Sequence, residues 1–338
     1  MTSFEDLENL ILHLSNSDNI IITSHKDPDG DAIGSMLAWK RGLELKGLSS
    51  YAILPNAITH KFSWMANFNE VIVAYNNLEK TKKIFESADV IIILDYNHIS
   101  RAGNISEQIN NSKAKKIVVD HHPYPQQELA DILISKISVS STCELSYEIF
   151  KALNWKMDSD VAEALYTGIM TDTGILNHNS SHPEIYNYIA ELLEIGVDKD
   201  KIHNKVFNSN SIDRIQLFGH ALCNKLNLLP SKIVATISLS QNELKQFNFK
   251  LGDTEGLVNE PLSIEGVEIS AFFLEKENGE TKISFRSLGD YAVNEFSEKY
   301  FNGGGHKNAA GGSFKGTIDE AMKIFNKKAE AFFNLDSL

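Results

Sequence analysis

Acidic and histidine side chains directly follow three apolar runs in the N-terminal half of this sequence. These side chains are His25, Asp29 and Asp31 after the first run, Asp95 after the second, and Asp120, His121 and His122 after the third. Carboxylates combined with one or two imidazoles suit Mn²⁺, Mg²⁺, Fe²⁺ or Co²⁺ better than a thiolate-loving metal, and no cysteine lies near these motifs. Two such ions ~3.5–4 Å apart clamp both the attacking and the leaving oxygen of a phosphoryl displacement.

Each motif taken alone has a structural alternative. The segment 27–31 is also typical of a surface turn, because Asp, Pro and Gly all form turns. It is not an EF-hand loop, since its glycine is misplaced and the bidentate acid position falls on Ala38. Asp95 alone is also typical of a helix N-cap. The coincidence of three acidic run ends in one chain favours the metal site.

The elements that would position these residues have the pattern of a doubly wound parallel α/β sheet. Up to about Leu193, strand-like runs alternate with helical patterns. The predicted strands are 20–23, 51–54, 90–94, 116–119 and 132–137, and the predicted helices are 4–14, 32–48, 143–153 and 161–170. The carboxyl ends of such strands bind ligands. We expect Gly30 to let its loop bend and Asp172, after the last helix, to close the cluster.

The pattern changes after Pro230 and predicts a smaller α+β domain. Strands are predicted at 232–239, 267–274 and 282–285, and the dipeptide Asn278-Gly279 is a strong hairpin signal. The preceding segment, 183–227, is mostly helical, and we interpret its later part as a connector. The expected boundaries are 1–195 for the first domain, 196–229 for a helical linker and 230–338 for the second domain.

Composition excludes several classes of protein. Of the 338 residues, 42% are hydrophobic and 23% charged, as in soluble globular chains. The net charge of −13 argues against a broad cationic face for long nucleic acid, while a small anionic substrate stays open because divalent cations would cancel charge locally. Cys143 and Cys223 are interpreted as reduced thiols. The start of the chain is acidic and no apolar run is long enough to span a membrane, so we expect a cytoplasmic protein and no membrane partner.

Taken together, the motifs resemble those of a known family. The run 25–35, Asp95, the triplet Asp120-His121-His122, and Asp172 resemble the four motifs of the DHH phosphoesterase superfamily. The run 302–312, Asn-Gly-Gly-Gly-His-Lys-Asn-Ala-Ala-Gly-Gly, resembles the GGGH motif of the DHH-associated domain, DHHA1. The resemblance covers nearly the whole chain. Length and domain order are most similar to the oligoribonuclease/pAp phosphatase branch (NrnA type).

The resemblance implies a catalytic DHH domain, a substrate-binding DHHA1 domain and two divalent ions, first of all Mn²⁺, with Mg²⁺ or Co²⁺ as alternatives. The implied ligands are His25, Asp29 and Asp95 around one ion, and Asp31, Asp95, His121 and Asp172 around the other. Asp120 would orient a histidine without touching the ions, and His122 would lie near the reacting phosphate. We expect Asp27 to stay outside the ligand set, and interpret Arg101 as structural.

The resemblance also assigns substrate contacts in the second domain. They are Arg286, Gly303, Gly304, Gly305 and His306, with Asn294 as a base or ribose contact. Glycines let backbone N–H groups approach an anion, and arginine offers a planar fork for phosphate or a face for base stacking. The alternatives are a flexible turn at the glycines and a surface cation at Arg286. Many relatives carry an aromatic residue soon after the Asp172 motif, where this chain reads Ile175-Leu176-Asn177-His178; the departure concerns base stacking and not the metal site.

We therefore expect a metal-dependent phosphoesterase that hydrolyses very short RNA or DNA oligonucleotides, and also pAp, to nucleoside monophosphates. The expected partners are such single-stranded oligonucleotides, pAp or dinucleotides, and a homodimer is a candidate assembly. A hydrolase of linear or cyclic dinucleotides, such as pApA or c-di-AMP, is the main alternative. A RecJ-like exonuclease is disfavoured by the acidic chain, and a pyrophosphatase would not need the glycine-rich domain. A non-catalytic nucleotide sensor is the alternative from a different class; the complete ligand set argues against it.

Overall fold

The computed structural model describes residues 4–56 and 60–335, and the chain divides into two compact units, the first ending at Ser209 and the second beginning at Asn210. This division does not test the predicted domain boundaries, so the helical linker over 196–229 stays a prediction. In the part of the chain that the structure describes, no helix is both long and apolar enough to cross a membrane.

The N-terminal unit is built on a six-stranded parallel sheet. Its strands are β1 (Ile20–Thr23), β2 (Ser50–Leu54), β3 (Ile72–Val73), β4 (Val90–Leu94), β5 (Lys115–Asp120) and β6 (Ile132–Ser135). Their order is β3-β2-β1-β4-β5-β6, and every pairing is parallel. The predicted doubly wound α/β sheet is therefore confirmed. The direction of winding reverses between β1 and β4, the kind of point at which ligands bind in such sheets.

Helices cover both faces of this sheet. They are α1 (Phe4–Ser15), α2 (Gly30–Leu45), α3 (Leu78–Glu86), α4 (Ser106–Asn111), α5 (Thr142–Ala152), α6 (Ser159–Asp172), α7 (Pro183–Ile195) and α8 (Lys199–Val206). Alternate residues of β1 enter different cores: Ile20 and Ile22 pack with the cluster around α2, α5 and α6, and Ile21 packs with the opposite cluster. Because both faces are buried, the strands are continuous apolar runs, which is why the sequence located them.

Helix α6 approaches both α2 and α5 closely at glycines. A Cβ atom built on Gly34 would lie 2.5 Å from the Ala164 carbonyl oxygen, and one on Gly168 would lie 2.2 Å from Cys143 Sγ. Gly30, which we expected to let a loop bend, is instead the first residue of α2. Its Cβ would lie 2.3 Å from Thr171 Oγ1. The glycine is needed for the approach of α6, whose last residue is Asp172, and not for an unusual backbone angle.

The C-terminal unit has a second, mixed six-stranded sheet. Its elements are α9 (Ile212–His220), β7 (Asn227–Leu228), β8 (Val234–Leu239), α10 (Gln241–Gln246), β9 (Ile269–Glu275), β10 (Glu280–Ser287), α11 (Val293–Phe301), β11 (Gly304–His306), β12 (Ala309–Lys315) and α12 (Ile318–Phe332). The order is β11-β12-β10-β9-β8-β7, with β8 and β9 parallel and the other pairs antiparallel. The predicted smaller α+β unit and the β9–β10 hairpin at Asn278-Gly279 are confirmed, while β11 and β12 were not predicted as strands.

Replacing Gly168 by alanine is expected to reduce the free energy of unfolding by about 1–3 kcal/mol, the usual cost of overpacking. The added methyl group would press on Cys143 Sγ at 2.2 Å and on Asp31 Oδ1 at 2.9 Å. The midpoint of urea-induced unfolding, followed by circular dichroism, measures the change.

The control is Gly219→Ala. Gly219 is an exposed residue of α9, and nothing beyond its neighbouring chain lies within 4 Å of a Cβ built there. This substitution should be neutral or stabilise by up to about 1 kcal/mol, because alanine is the better helix former. Equal midpoints for the Gly168 variant and the unchanged protein would contradict the close-packing interpretation.

Candidate metal centre

The candidate centre lies where β1, β4 and β5 end side by side. Ser24 Oγ donates a hydrogen bond of 2.8 Å to the Leu94 carbonyl oxygen, which ties the end of β1 to the end of β4. The Asp95 amide donates to the Val119 carbonyl oxygen at 3.1 Å, which ties β4 to β5. Short links between neighbouring strands therefore fix the backbone from which the histidines and acids project.

His25 turns an acceptor nitrogen toward two carboxylates. Its Nδ1 lies 2.8 Å from the Lys26 carbonyl oxygen, which can only accept, so Nδ1 carries a proton. Its Nε2 is buried, makes no hydrogen bond to any described residue, and lies 3.4 Å from Asp95 Oδ2 and 3.9 Å from Asp29 Oδ2. Burial opposes a charge on His25, but these two acids outweigh it and raise the pKa of the imidazole. The environment formed by His25, Asp29 and Asp95 therefore favours a positive charge.

The two carboxylate oxygens of Asp29 have different partners. Oδ1 accepts the backbone amides of Asp31 and Ala32, each at 3.0 Å, and so caps the N-terminus of α2. Oδ2 is the oxygen that faces His25. The helix cap therefore fixes the orientation in which the second oxygen is presented to the cluster.

A second group of side chains gathers around His121. Its Nε2 lies 3.5 Å from Asp95 Oδ1 and 3.6 Å from Asp172 Oδ2. Ligand atoms of Asp31, Asp95 and His121 all lie within 4.8 Å of one another. Asp95 thus directs one oxygen toward each of the two histidines, and it belongs to both groups.

Asp31 is held by the N-terminus of α5. The Thr142 amide donates to Oδ2 at 2.7 Å and the Cys143 amide donates to Oδ1 at 2.8 Å. Burial raises the pKa of Asp31 well above its usual range, and the charges of Asp95 and Asp172 raise it further. The acids in this group repel one another, and divalent cations between them would remove that repulsion.

Asp95 has a backbone conformation that most residues avoid. Its φ is +64°, in the left-handed region, which aspartate tolerates better than most side chains. Burial works against its ionisation, yet the close approach of His25 and the charges of the neighbouring imidazoles hold the pKa of Asp95 below its usual range. Thr142 Oγ1 also donates to Oδ1 at 3.0 Å. The structure therefore keeps this carboxylate charged and its orientation fixed.

Asp120, His122 and Arg101 form a short chain of hydrogen bonds next to the cluster. Asp120 Oδ1 lies 2.7 Å from His122 Nδ1, and His122 Nε2 lies 2.9 Å from Arg101 Nη1. Burial and the charge of Asp95 raise the pKa of Asp120 to about 7. Burial lowers the pKa of His122 to about 3, so this imidazole is neutral. Asp120 therefore contacts His122, and its role in orienting a histidine stays a prediction.

Asp172 ends α6 and is followed by a strained turn. Gly174, Ile175 and Leu176 have φ values of +56°, +60° and +62°. A β-branched residue such as isoleucine is a genuine outlier there. Thr173 holds the turn, since its Oγ1 donates to the Ile169 carbonyl oxygen at 2.6 Å and accepts the Leu176 amide at 3.0 Å. The departure noted in the sequence thus coincides with strained backbone beside an acid of the cluster.

Asp27 lies outside the groups of potential ligands. Its side chain accepts a 2.7 Å hydrogen bond from Asn56 Nδ2, and its amide donates 2.8 Å to Asn56 Oδ1. Asp27 is exposed, and its φ of +54° is close to that of Asp95.

The structure places the predicted substrate residues of the C-terminal unit on three elements. Arg286 lies on β10, where its Nη1 donates to the Phe285 carbonyl oxygen at 3.0 Å. His306 ends β11. Asn294 lies on α11, and its buried Oδ1 has no hydrogen-bond partner among the described residues.

The three glycines of the GGGH motif differ in how much space a side chain would have at each position. Gly304 and Gly305 belong to β11, which pairs with Gly311 and Ala310 of β12, so the segment is a strand and not a flexible turn. A Cβ on Gly303 would lie 1.9 Å from the Gly311 carbonyl oxygen, and one on Gly305 would lie 2.4 Å from that of Ala309. A Cβ on Gly304 would meet nothing nearer than Glu298 Oε1 at 3.6 Å. Only Gly304 lacks a packing reason to be glycine.

Sequence reasoning missed the residues that orient the cluster. Thr142 and Cys143 were not singled out as partners of Asp31, and the contact of Arg101 with His122 was not expected. The signal for the first was present: Ser141-Thr142 follows β6 and starts a helix, so its free amides point to the same sheet edge. The signal for Arg101 was absent, because a contact from a loop has no periodicity.

Comparison with known proteins gives the following relatives. The model of the DHH family, N-terminal domain, matches residues 19–169, and that of the DHHA1 domain matches residues 230–335. The crystal structure of an exopolyphosphatase-related protein from Bacteroides fragilis is 38% identical, with a TM-score of 0.93 and 98% of each chain covered. The bifunctional oligoribonuclease and PAP phosphatase NrnA of Bacillus subtilis is 29% identical over 93% of this chain and 95% of that protein. The cyclic-di-AMP phosphodiesterase GdpP of the same organism is 24% identical over 95% of this chain and 49% of its own length.

Mn²⁺ is expected to raise the melting temperature of the protein, because a ligand at a hundredfold excess over its Kd stabilises the folded state by about 2.7 kcal/mol. Asp95→Asn should abolish this shift, since the carboxylate that both groups share becomes an uncharged amide with one oxygen replaced by NH₂. Thermal denaturation with and without Mn²⁺ measures the effect.

Asp27→Asn is the matched control. It makes the same chemical change at a second left-handed aspartate that lies outside the groups, and it should keep the full shift. A shift that survives in the Asp95 variant would refute the shared position of Asp95.

Proposed function

Because the chain belongs to the DHH/DHHA1 phosphoesterase family, in its oligoribonuclease/pAp phosphatase (NrnA-type) branch, we propose that it hydrolyses short oligonucleotides and pAp to nucleoside monophosphates. The protein is a metal-dependent phosphoric ester hydrolase. The observation that supports this most directly is Asp95, whose two oxygens face His25 and His121 at 3.4 Å and 3.5 Å.

The proposed cofactor is a pair of Mn²⁺ ions, with Mg²⁺ or Co²⁺ as alternatives. The donor set fits such ions, since it consists of carboxylates and imidazoles, and the buried His25 Nε2 has no hydrogen-bond partner among the described residues. His25, Asp29 and Asp95 would hold one ion, and Asp31, Asp95, His121 and Asp172 the other. When bound, two such ions activate water and neutralise charge that develops on the phosphate.

Other residues of the N-terminal unit hold the acids of the cluster in place and keep water away from them. Thr142 donates to Asp95, and the amides of α5 hold Asp31, so neither carboxylate can rotate away from the cluster. Asp31 is 1% exposed and Asp95 is 2% exposed, which keeps bulk water from these acids. A charged site in such a low-dielectric environment acts strongly on a phosphate.

The C-terminal unit would bind the part of the substrate that does not react. Arg286 offers donors to a phosphate or a plane to a base. The Gly304 N–H can approach an anion without hindrance from a side chain, and His306 and Asn294 add polar groups. Contacts of this kind limit the substrate to a few nucleotides, because each phosphate or base must meet a fixed group.

Hydrolysis of dinucleotides is the second candidate function. It is favoured by the similarity to the cyclic-di-AMP phosphodiesterase GdpP along 95% of this chain. A cytoplasmic location and a homodimer are further proposals from the sequence, which cell fractionation and sedimentation velocity would test.

With Mn²⁺, the protein should cleave a dinucleotide and a short oligomer faster than a long single strand, and it should release phosphate from pAp. Rates should fall as oligomers lengthen, because the fixed contacts accommodate only a few nucleotides. Chromatography of the products from linear RNA and DNA, pAp and c-di-AMP measures the preference.

The Asp95→Asn protein, purified in parallel, is the control for contaminating nucleases. Equal or faster cleavage of the long strand would contradict the proposed substrate and favour a processive exonuclease. Cleavage of c-di-AMP alone would favour the second candidate.

Gly304→Ala should leave the melting temperature unchanged and raise KM for a short oligonucleotide several-fold, since a methyl group would stand where the substrate approaches the N–H. Gly303→Ala is the contrasting variant and should lower the melting temperature, because its methyl group would collide with Gly311. Steady-state kinetics and thermal denaturation separate the two effects. An unchanged KM for the Gly304 variant would remove this glycine from the substrate contacts.

A further inference from the structure

Arg101 is a cation beside the acidic cluster that pairs with none of its acids. Its Nη1 contacts His122 Nε2 at 2.9 Å. Among the side chains that the structure describes, no carboxylate oxygen lies within the 4.0 Å limit of an ion pair with this guanidinium. Arginine in acidic surroundings normally takes a carboxylate or a phosphate as its partner. The side chain of Arg101 therefore directs its charge at a neutral imidazole and not at an acid of the chain.

The hydrogen bond to His122 fixes the form of that imidazole. A guanidinium has five N–H donors and no acceptor, so His122 Nε2 must accept. The proton of the neutral ring then lies on Nδ1, where Asp120 Oδ1 accepts it at 2.7 Å. With Nε2 bound to Arg101 and Nδ1 bound to Asp120, His122 has no donor left for a phosphate.

The backbone of Arg101 is anchored to the loop that carries His25. Its carbonyl oxygen accepts the Lys26 amide at 2.8 Å, and its amide donates to the His98 carbonyl oxygen at 3.0 Å. Gly103, with a φ of +59°, lets the same segment pack against Lys26, whose Cβ would lie 3.2 Å from a Cβ at position 103. The backbone from which the guanidinium projects is therefore fixed relative to the cluster, as precise placement of a charge requires.

We propose that Arg101 binds a non-bridging oxygen of the reacting phosphate, and that His122 and Asp120 act as positioning residues that orient its guanidinium. The inference rests on the phosphoester hydrolysis proposed above and assigns to Arg101 the contact that the family resemblance gave to His122. A guanidinium keeps further N–H donors beside the one given to His122, and arginine can bind a phosphate through two parallel hydrogen bonds.

Titration of inorganic phosphate into the Mn²⁺-loaded protein tests the assignment by calorimetry. Arg101→Gln should weaken phosphate binding about 10- to 100-fold, the range for a lost hydrogen bond to a charged group. Arg101→Lys should lose less, because the charge stays while the fork is lost. His122→Gln should lose only a few-fold, since the guanidinium remains. The Mn²⁺-induced rise in melting temperature should persist in all three variants, which shows that each is folded and binds metal.

The opposite order overturns the proposal: phosphate affinity that is unchanged in Arg101→Gln, or that falls further in His122→Gln than in Arg101→Gln. Rescue of Arg101→Ala turnover by added guanidinium ion, with no such gain for His122→Gln, would support it independently. The phosphate titration needs no turnover. A wild-type protein that cleaves no substrate would therefore refute the proposed function, while the ranking of phosphate affinities would still decide the role of Arg101.

Discussion

Buried carboxylates at one edge of a sheet repel one another, and the N-terminal unit is arranged to hold them together against that repulsion. Asp31 is held by two backbone amides at the start of α5, and Asp95 lies between two imidazoles. Each acid thus has a local counter-charge or donor, yet the group keeps an excess of negative charge. The pKa of Asp31, raised by burial and by its neighbours, reflects this excess. Divalent cations are the charges that the arrangement lacks.

The fold places this cluster by backbone geometry more than by side-chain reach. Reversal of the strand order between β1 and β4 opens the sheet where His25 and Asp95 emerge. The glycines of α2 and α6 bring Asp172 close, and they do so by omitting side chains at the contact. In the described residues, each unit has buried apolar clusters of its own. The chemistry and the proposed recognition of substrate thus rest on separate cores.

The sequence predicted those features that come from continuous local patterns. β1 and β4 match their predicted ranges because runs buried on both faces are unbroken. β3 has only two residues, and β11 is rich in glycine, which has little strand propensity; both form because a neighbouring strand supplies the hydrogen bonds. Asp95 and Asp120 could be named from the sequence because they lie at the ends of the apolar runs that form β4 and β5. The role of Gly30 could not, since it depends on Thr171, far along the chain.

The turn after Asp172 carries a consequence for engineering. Left-handed conformations at Ile175 and Leu176 each cost on the order of 1 kcal/mol or more, and the chain would gain stability from glycine or asparagine at either position. Stabilising changes beside an active centre often reduce activity, because the strained geometry there is part of how the centre works. A search for thermostable variants would therefore select positions 175 and 176 early. Glycine would also widen the range of backbone angles open to this turn, so a gain in stability there would come with a less firmly held Asp172.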